Sequence, residues 1–226
     1  MESARDPEAR LRDLGLAEED LEAWRRSGLP AGELDDWAVD RVARRPVGAT
    51  ARAVYGAEDV HDFARRAILQ ALALRPGERL LEIGCGGGLL LRDAIALGAA
   101  ATGIDHSEEM VALARERAPG AEVVLASAED LPFADAAFDG LAMSVVFMFL
   151  PDPDLVLREC RRVLAPRGRI AVYTSSRSLR GTPALPEPVA SRVRLYEDSE
   201  LVDMARRAGF PEAAVSDQDG AQLLTG

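Results

Sequence analysis

The chain has 226 residues, 48% of them hydrophobic and 29% charged, with a formal net charge of −11. This length suits one α/β domain with an extension, and the balance is that of a globular protein. The acidic charge disfavours nonspecific nucleic-acid binding, no long uncharged apolar run offers a membrane span, and the polar N-terminal stretch lacks a signal-peptide core, so a cytoplasmic protein is expected.

Residues 1–58 are helical in pattern and rich in Arg, Glu and Asp, and are broken by Pro30, Gly32 and Pro46-Val47-Gly48. They predict an extension of two or three short helices, which fits either a lid over a site or a packing arm without ligand contact. The main domain, residues 59–226, opens with Val60, Phe63, Ala64, Ala67, Ile68, Ala71 and Leu72, spaced at three and four as on an amphipathic helix. Pro76-Gly77 turns the chain into a first strand, 79–83. A glycine-rich turn and a helix to about Leu97 come next, then a second strand, 101–104. Ser107 is a suitable cap for the next helix, with Glu108 and Glu109 in its first turn. A third strand is expected at 122–126 and a fourth at 138–146. Asp152-Pro153 starts a helix to Leu164. After the turn 165–168 comes a fifth strand, 169–174. Residues 175–188, rich in Gly, Pro and Ser, predict a loop over the site. A helix at 199–208 and strands at 213–216 and 221–224 close the chain. Strands alternating with helices imply a mostly parallel sheet covered on both faces.

The strand–turn–helix around Glu82-Ile83-Gly84-Cys85-Gly86-Gly87-Gly88 carries the most information. Glycine lets the backbone turn sharply and a ligand approach closely. Asp105 ends the second strand about 20 residues beyond the first glycine, where nucleotide-binding folds place a ribose-holding carboxylate. A dinucleotide fingerprint needs glycine where Leu89 stands. The chain contains no lysine, so all 27 basic residues are arginine. That excludes lysine Schiff-base chemistry and a P-loop lysine. Cys85, Cys160, His61 and His106 show no metal-ligand spacing, and no metal is expected. The paired arginines, Arg44-Arg45 among them, read as solvated helix faces.

The glycine turn resembles motif I of the class I S-adenosylmethionine-dependent methyltransferases. Gly103-Ile104-Asp105-His106-Ser107-Glu108-Glu109-Met110 resembles the second motif of that family. Ala126-Ser127-Ala128-Glu129-Asp130-Leu131-Pro132-Phe133 resembles the third. Phe138-Asp139 with Leu150-Pro151-Asp152, and Arg161–Arg169 before the fifth strand, resemble the remaining two. The resemblance covers about residues 55–226. It implies a Rossmann-like, doubly wound, mostly parallel seven-stranded sheet with helices on both faces and an N-terminal helical extension. It implies S-adenosylmethionine as cofactor, held by Glu82, Gly84, Cys85, Gly86, Gly88, Asp105, His106, Met110, Ser127, Ala128, Glu129 and Ser144. Ser127 stands where the family often has Asp or Asn, which shifts adenine recognition toward Glu129 or Asp130. Glu82 either orders the loop around the methionine moiety or simply bonds backbone amides at the turn.

Residues Ser144 to Phe149 predict an apolar acceptor wall. The expected reaction is methyl transfer to O, N or C of a small, partly apolar acceptor, driven mainly by alignment. His61 is the candidate general base, should the acceptor need to lose a proton, and otherwise a surface histidine. Tyr55, Phe147 and Phe149 are candidates to face the sulfonium, or else core residues. Two other functions stay open at this level. One is a S-adenosylmethionine-binding protein that does not methylate. The other is an NAD(P)-dependent oxidoreductase, which Leu89 and the missing lysine disfavour.

Overall fold

A computed structural model describes residues 6–226. Seven strands form one sheet in the order β3-β2-β1-β4-β5-β7-β6. They are β1 Arg79–Ile83, β2 Ala100–Asp105, β3 Glu122–Leu125, β4 Phe138–Ser144, β5 Leu164–Ser175, β6 Ala214–Gln218 and β7 Ala221–Thr225. The first five are parallel, and β7 runs antiparallel between β5 and β6. Strand order reverses between β1 and β4, and in such sheets the crevice beyond the strand ends at that switch point receives the ligand. The register brings the strand ends together, with Ile83 opposite both Ile104 and Met143.

Alternation along β1 divides the core between two faces. Leu81 and Ile83 pack with β4 and β5 residues and with α8 (Pro153–Val163) and α9 (Asp198–Arg207). Leu80 faces the other way, toward α5 (Asp62–Leu72), α6 (Leu89–Ala96) and α7 (Glu108–Arg117). Glu82 shares that second face, so an acid is buried, 3% exposed, beside an apolar layer.

Several boundaries differ from those expected. β4 ends at Ser144 because Val145 adopts φ +60°, and a 3₁₀ turn occupies Phe147–Phe149. β5 starts at Leu164, which pairs with Phe138, and the expected turn 165–168 lies inside the strand at a register shift. The last two strands form a hairpin closed by Asp219-Gly220, both at positive φ, the backbone that a tight two-residue turn needs.

Among the described residues the N-terminal extension holds four α-helices rather than two or three: α1 Pro7–Asp13, α2 Glu18–Ser27, α3 Leu34–Val39 and α4 Gly48–Gly56. A π-helical turn spans Asp40–Arg44. Leu11, Leu21, Trp24 and Leu34 give the extension its own small core. Buried Asp20 ties α2 to the π-helical turn and to α4. It accepts from Arg41 Nε at 2.6 Å, from the Thr50 amide at 2.9 Å and from the Thr50 hydroxyl. The extension docks on the sheet domain at two sides. Glu109 of α7 accepts from the Gly48 amide at 2.6 Å, placing an anion at the N-terminus of α4. Arg192, in the segment after β5, donates to Asp36 of α3 at 2.9 Å.

Burial raises the Asp20 carboxyl pKa, but the Thr50 and Arg41 hydrogen bonds outweigh it and hold it below the usual carboxylate range. A depressed native pKa stabilises the fold above the unfolded value, near 4, and that contribution disappears as pH falls through the native value. Replacing Asp20 by Asn should therefore cost about 3 kcal/mol at pH 7, the scale of breaking a buried ion pair. Urea midpoints of D20N and wild type should differ widely at pH 7 and converge toward pH 3; parallel acid profiles would contradict this account.

Candidate active site

A cavity of about 650 Å³ opens beyond the ends of β1, β2 and β4, at the switch point. Its volume lies in the range of small-molecule sites. The glycine turn forms its floor. The Gly84 and Cys85 amides both donate to the Ile104 carbonyl, at 2.8 and 2.9 Å, which locks the turn against the end of β2. Gly86, at φ +49°, lies beneath the Tyr55 ring: a Cβ there would meet Tyr55 Cδ1 at 3.3 Å. A Cβ on Gly87 would lie 2.2 Å from the Tyr55 carbonyl oxygen. Gly86 is required by its positive φ as well as by the nearby ring, and Gly87 by close approach alone.

Asp105 ends β2 and is buried. Its Oδ2 accepts from the Gly86 amide at 3.0 Å and its Oδ1 from the Ser107 amide at 2.9 Å. Each oxygen keeps a second lone pair for a ligand. Ser107 caps α7 and donates through its hydroxyl to the Pro46 carbonyl at 2.5 Å, which fixes the extension over this end of the cavity.

Of the residues selected from sequence, Tyr55, His61, Gly84, Gly86, Asp105, His106, Ser127, Ala128, Glu129 and Ser144 line the main cavity. Glu82 and Cys85 line a smaller adjoining pocket that shares Tyr55, His61 and Ser144 with it. Gly88 and Met110 line neither. Gly88 backs onto α7, where a Cβ would lie 2.9 Å from Ala114 Cα, and Met110 is fully buried in the core. The 175–188 segment also stays outside the cavity: Leu185 packs with Met148, Ala190 and Leu195. Phe147 is fully buried against Tyr196, ring centroids 5.6 Å apart, while Val145, Val146, Phe149 and Leu150 do form an apolar wall. Val145 is a β-branched residue at positive φ, a conformation that costs about 1–3 kcal/mol and tends to occur at functional sites.

The π-helical turn and the two residues after it complete the cavity with Asp40, Ala43, Arg44, Arg45 and Pro46. Sequence alone treats Arg44-Arg45 as a solvated pair. Only docking of the extension turns them toward the site, and the Pro46-Val47-Gly48 break was the one local sign of an irregular backbone there.

Electrostatics separate the titratable groups. Burial, with the Asp105 charge adding to it, pushes the Glu82 carboxyl well above its usual range. Its Oε2 and the hydroxyl of Ser144 are buried without a hydrogen-bond partner. Unsatisfied polar atoms at a cavity are costly and call for a ligand. Burial and then the charge of Arg65 lower the pKa of His61, so its imidazole is neutral at pH 7. Tyr55 sits 6.4 Å from His61, centroid to centroid, and burial pushes its phenol well above the ordinary value.

A mostly parallel sheet with its glycine turn and acid at the switch point defines a Rossmann-like nucleotide-binding enzyme fold. The methyltransferase-domain family profile matches residues 81–172. An S-adenosylmethionine-dependent methyltransferase of Thermotoga maritima superposes with a TM-score of 0.60 at 30% identity, covering 74% of this chain and 89% of that one. A ubiquinone biosynthesis O-methyltransferase of Xanthomonas oryzae is 36% identical over 107 residues, 45% of each chain. A 27-O-demethylrifamycin SV methyltransferase of Amycolatopsis mediterranei is 41% identical over 130 residues, 54% of this chain and 47% of the relative. The matches thus span under half the length of these two curated relatives. The chain belongs to the class I S-adenosylmethionine-dependent methyltransferases. Among the described residues no helix is long and apolar enough to cross a membrane, and no cluster of His, Cys, Asp and Glu is arranged to hold a metal.

Substituting Gly87 by Ala should drive its methyl against the Tyr55 carbonyl and destabilise the fold by about 1–3 kcal/mol, as overpacking does. Denaturant titration measures this, and a G87A protein as stable as wild type would mean that the extension and the glycine turn are not in close contact.

Proposed function

We propose that the chain binds S-adenosylmethionine and transfers its methyl group to O, N or C of a small, partly apolar acceptor. The observation that carries this reading is Asp105, fixed by the Gly86 and Ser107 amides with lone pairs left for two ribose hydroxyls. The orphaned atoms fit the rest of the donor. Glu82 Oε2 and Ser144 Oγ suit the ammonium of its methionine moiety, and that cation would favour the ionised Glu82 carboxylate. His106, Ser127, Ala128 and Glu129 suit the adenine.

When bound, S-adenosylmethionine supplies a methyl group already activated on a sulfonium. The work left to the chain is alignment and exclusion of water, the terms that dominate when the leaving group needs no help. Tyr55 offers a ring face to the cation, an attraction of about 0.5–2 kcal/mol, and its phenol stays protonated. Val145, Val146 and Phe149 hold the acceptor's apolar part. His61, neutral at pH 7, takes a proton from an acceptor that must lose one. The extension acts as a cap on the donor-binding domain 59–226, because Asp40, Ala43, Arg44, Arg45, Pro46 and Tyr55 supply part of the cavity wall. The net charge of −11 argues against a nucleic-acid acceptor, and two buried free thiols fit a reducing cytoplasm.

Calorimetric titration with S-adenosylhomocysteine tests the donor. Wild type should bind it, and D105A should lose about 10- to 100-fold in affinity, as expected for hydrogen bonds to a charged group. Unchanged affinity in D105A would end this reading. For an acceptor that loses a proton, kcat should rise with pH through a value below the ordinary histidine 6.5 and level off by neutrality. H61A should lose that limb and about 100-fold in kcat, with S-adenosylhomocysteine affinity preserved. An unaltered pH profile in H61A would exclude His61 as base.

A further inference from the structure

The structure assigns to Arg45 the capture of an anionic group on the acceptor, so that the acceptor is an amphipathic acid with an apolar body and a carboxylate or similar anion. This inference rests on S-adenosylmethionine being the donor, and names the second substrate's class.

Two arginines line the main cavity, Arg44 and Arg45. Arg44 is ion-paired within the extension: Nη2 donates to Asp36 at 3.2 Å, and Nε lies 2.9 Å from Asp40 Oδ1 without hydrogen-bond geometry. That pairing also neutralises Asp40, an acid of the same wall. Arg45 has no ion pair and no side-chain hydrogen bond among the described residues. Its backbone is nevertheless held. The Arg45 amide donates to the Asp40 carbonyl at 2.7 Å, and the next residue, Pro46, is anchored by Ser107. A π-helical turn is an uncommon conformation that recurs at functional sites, and this one ends immediately before Arg45.

Among the other cavity acids, Asp105 suits the ribose, Glu129 the adenine end and Glu82, in the adjoining pocket, the ammonium. Arg45 is the lining cation without a partner among the described residues, and the donor's own carboxylate is the rival anion for it, so the test reads donor and acceptor affinity separately. Val145, Val146 and Phe149 add an apolar surface. Arg45 is exposed while lining the cavity, so its guanidinium is free to present its planar fork of donors to the carboxylate of an entering acceptor. An acceptor with a hydrocarbon or aromatic body and an acid group would satisfy both features. In a chain of net charge −11, an anion gains little from the general field. The local guanidinium must therefore supply the attraction, which makes Arg45 a specificity determinant.

The test uses the full chain saturated with S-adenosylhomocysteine, titrated with matched pairs: 4-hydroxybenzoate, indole-3-carboxylate and 10-hydroxydecanoate, each against its methyl ester. At least one acid should bind about tenfold or more tightly than its ester. R45Q should erase that preference while keeping S-adenosylhomocysteine affinity within about twofold, and R45K should retain part of it. No acid preferred over its ester, or a preference that survives in R45Q, overturns the inference. So does an R45Q protein whose loss falls on S-adenosylhomocysteine, since Arg45 would then serve the donor. Failure of wild type to bind S-adenosylhomocysteine is a separate result, and strikes the donor assignment itself.

Discussion

The carboxylate of Asp105 is the constraint on which the site depends. It bonds the amide of Gly86 on one side and that of Ser107 on the other, so one side chain fixes both the glycine turn and the start of α7. Such bonds to a charged acceptor are among the stronger ones a protein makes. Ser107 then extends the chain of contacts to the Pro46 carbonyl, and through it to the extension. Loss of the acid would loosen the floor, one wall and part of the roof together.

The extension is a structural part of the cavity. Its own apolar core makes it a compact unit, and polar contacts dock it: Glu109 on the Gly48 amide, Arg117 on the Tyr55 carbonyl at 3.0 Å and Arg192 on Asp36. Those on exposed side chains are individually weak and sensitive to salt. Of these only the Arg192–Asp36 contact is exposed; the others, and the Ser107 bond to Pro46, are buried or part-buried, while the sheet domain is held by two continuous apolar layers.

Much of the sheet domain was legible because its signals are local. Apolar runs bounded by glycine and proline set β1, β2 and β3, and Ser107 and Asp152 cap their helices as expected, accepting from the Met110 and Leu155 amides. Less local features were misjudged. The length of β5 depends on Leu164 finding Phe138 across the sheet, and the end of β4 depends on Val145 being forced to positive φ. Gly88 and Met110 belong to the family's motif stretches, but here they serve helix packing.

The order of the elements, the glycine turn and the acid beyond it are written in residue type and spacing along one strand–turn–helix unit. What surrounds them comes from contacts between residues far apart in the chain. Burial and the field of Asp105 raise the pKa of Glu82, and burial with Arg65 lowers that of His61; both effects come from neighbours that only folding assembles. Arg44 and Arg45 look like any solvated pair, and only docking of the extension sets them along the cavity, with Arg45 still exposed. The roof of the site is a long-range product of the fold, and no local pattern encodes it.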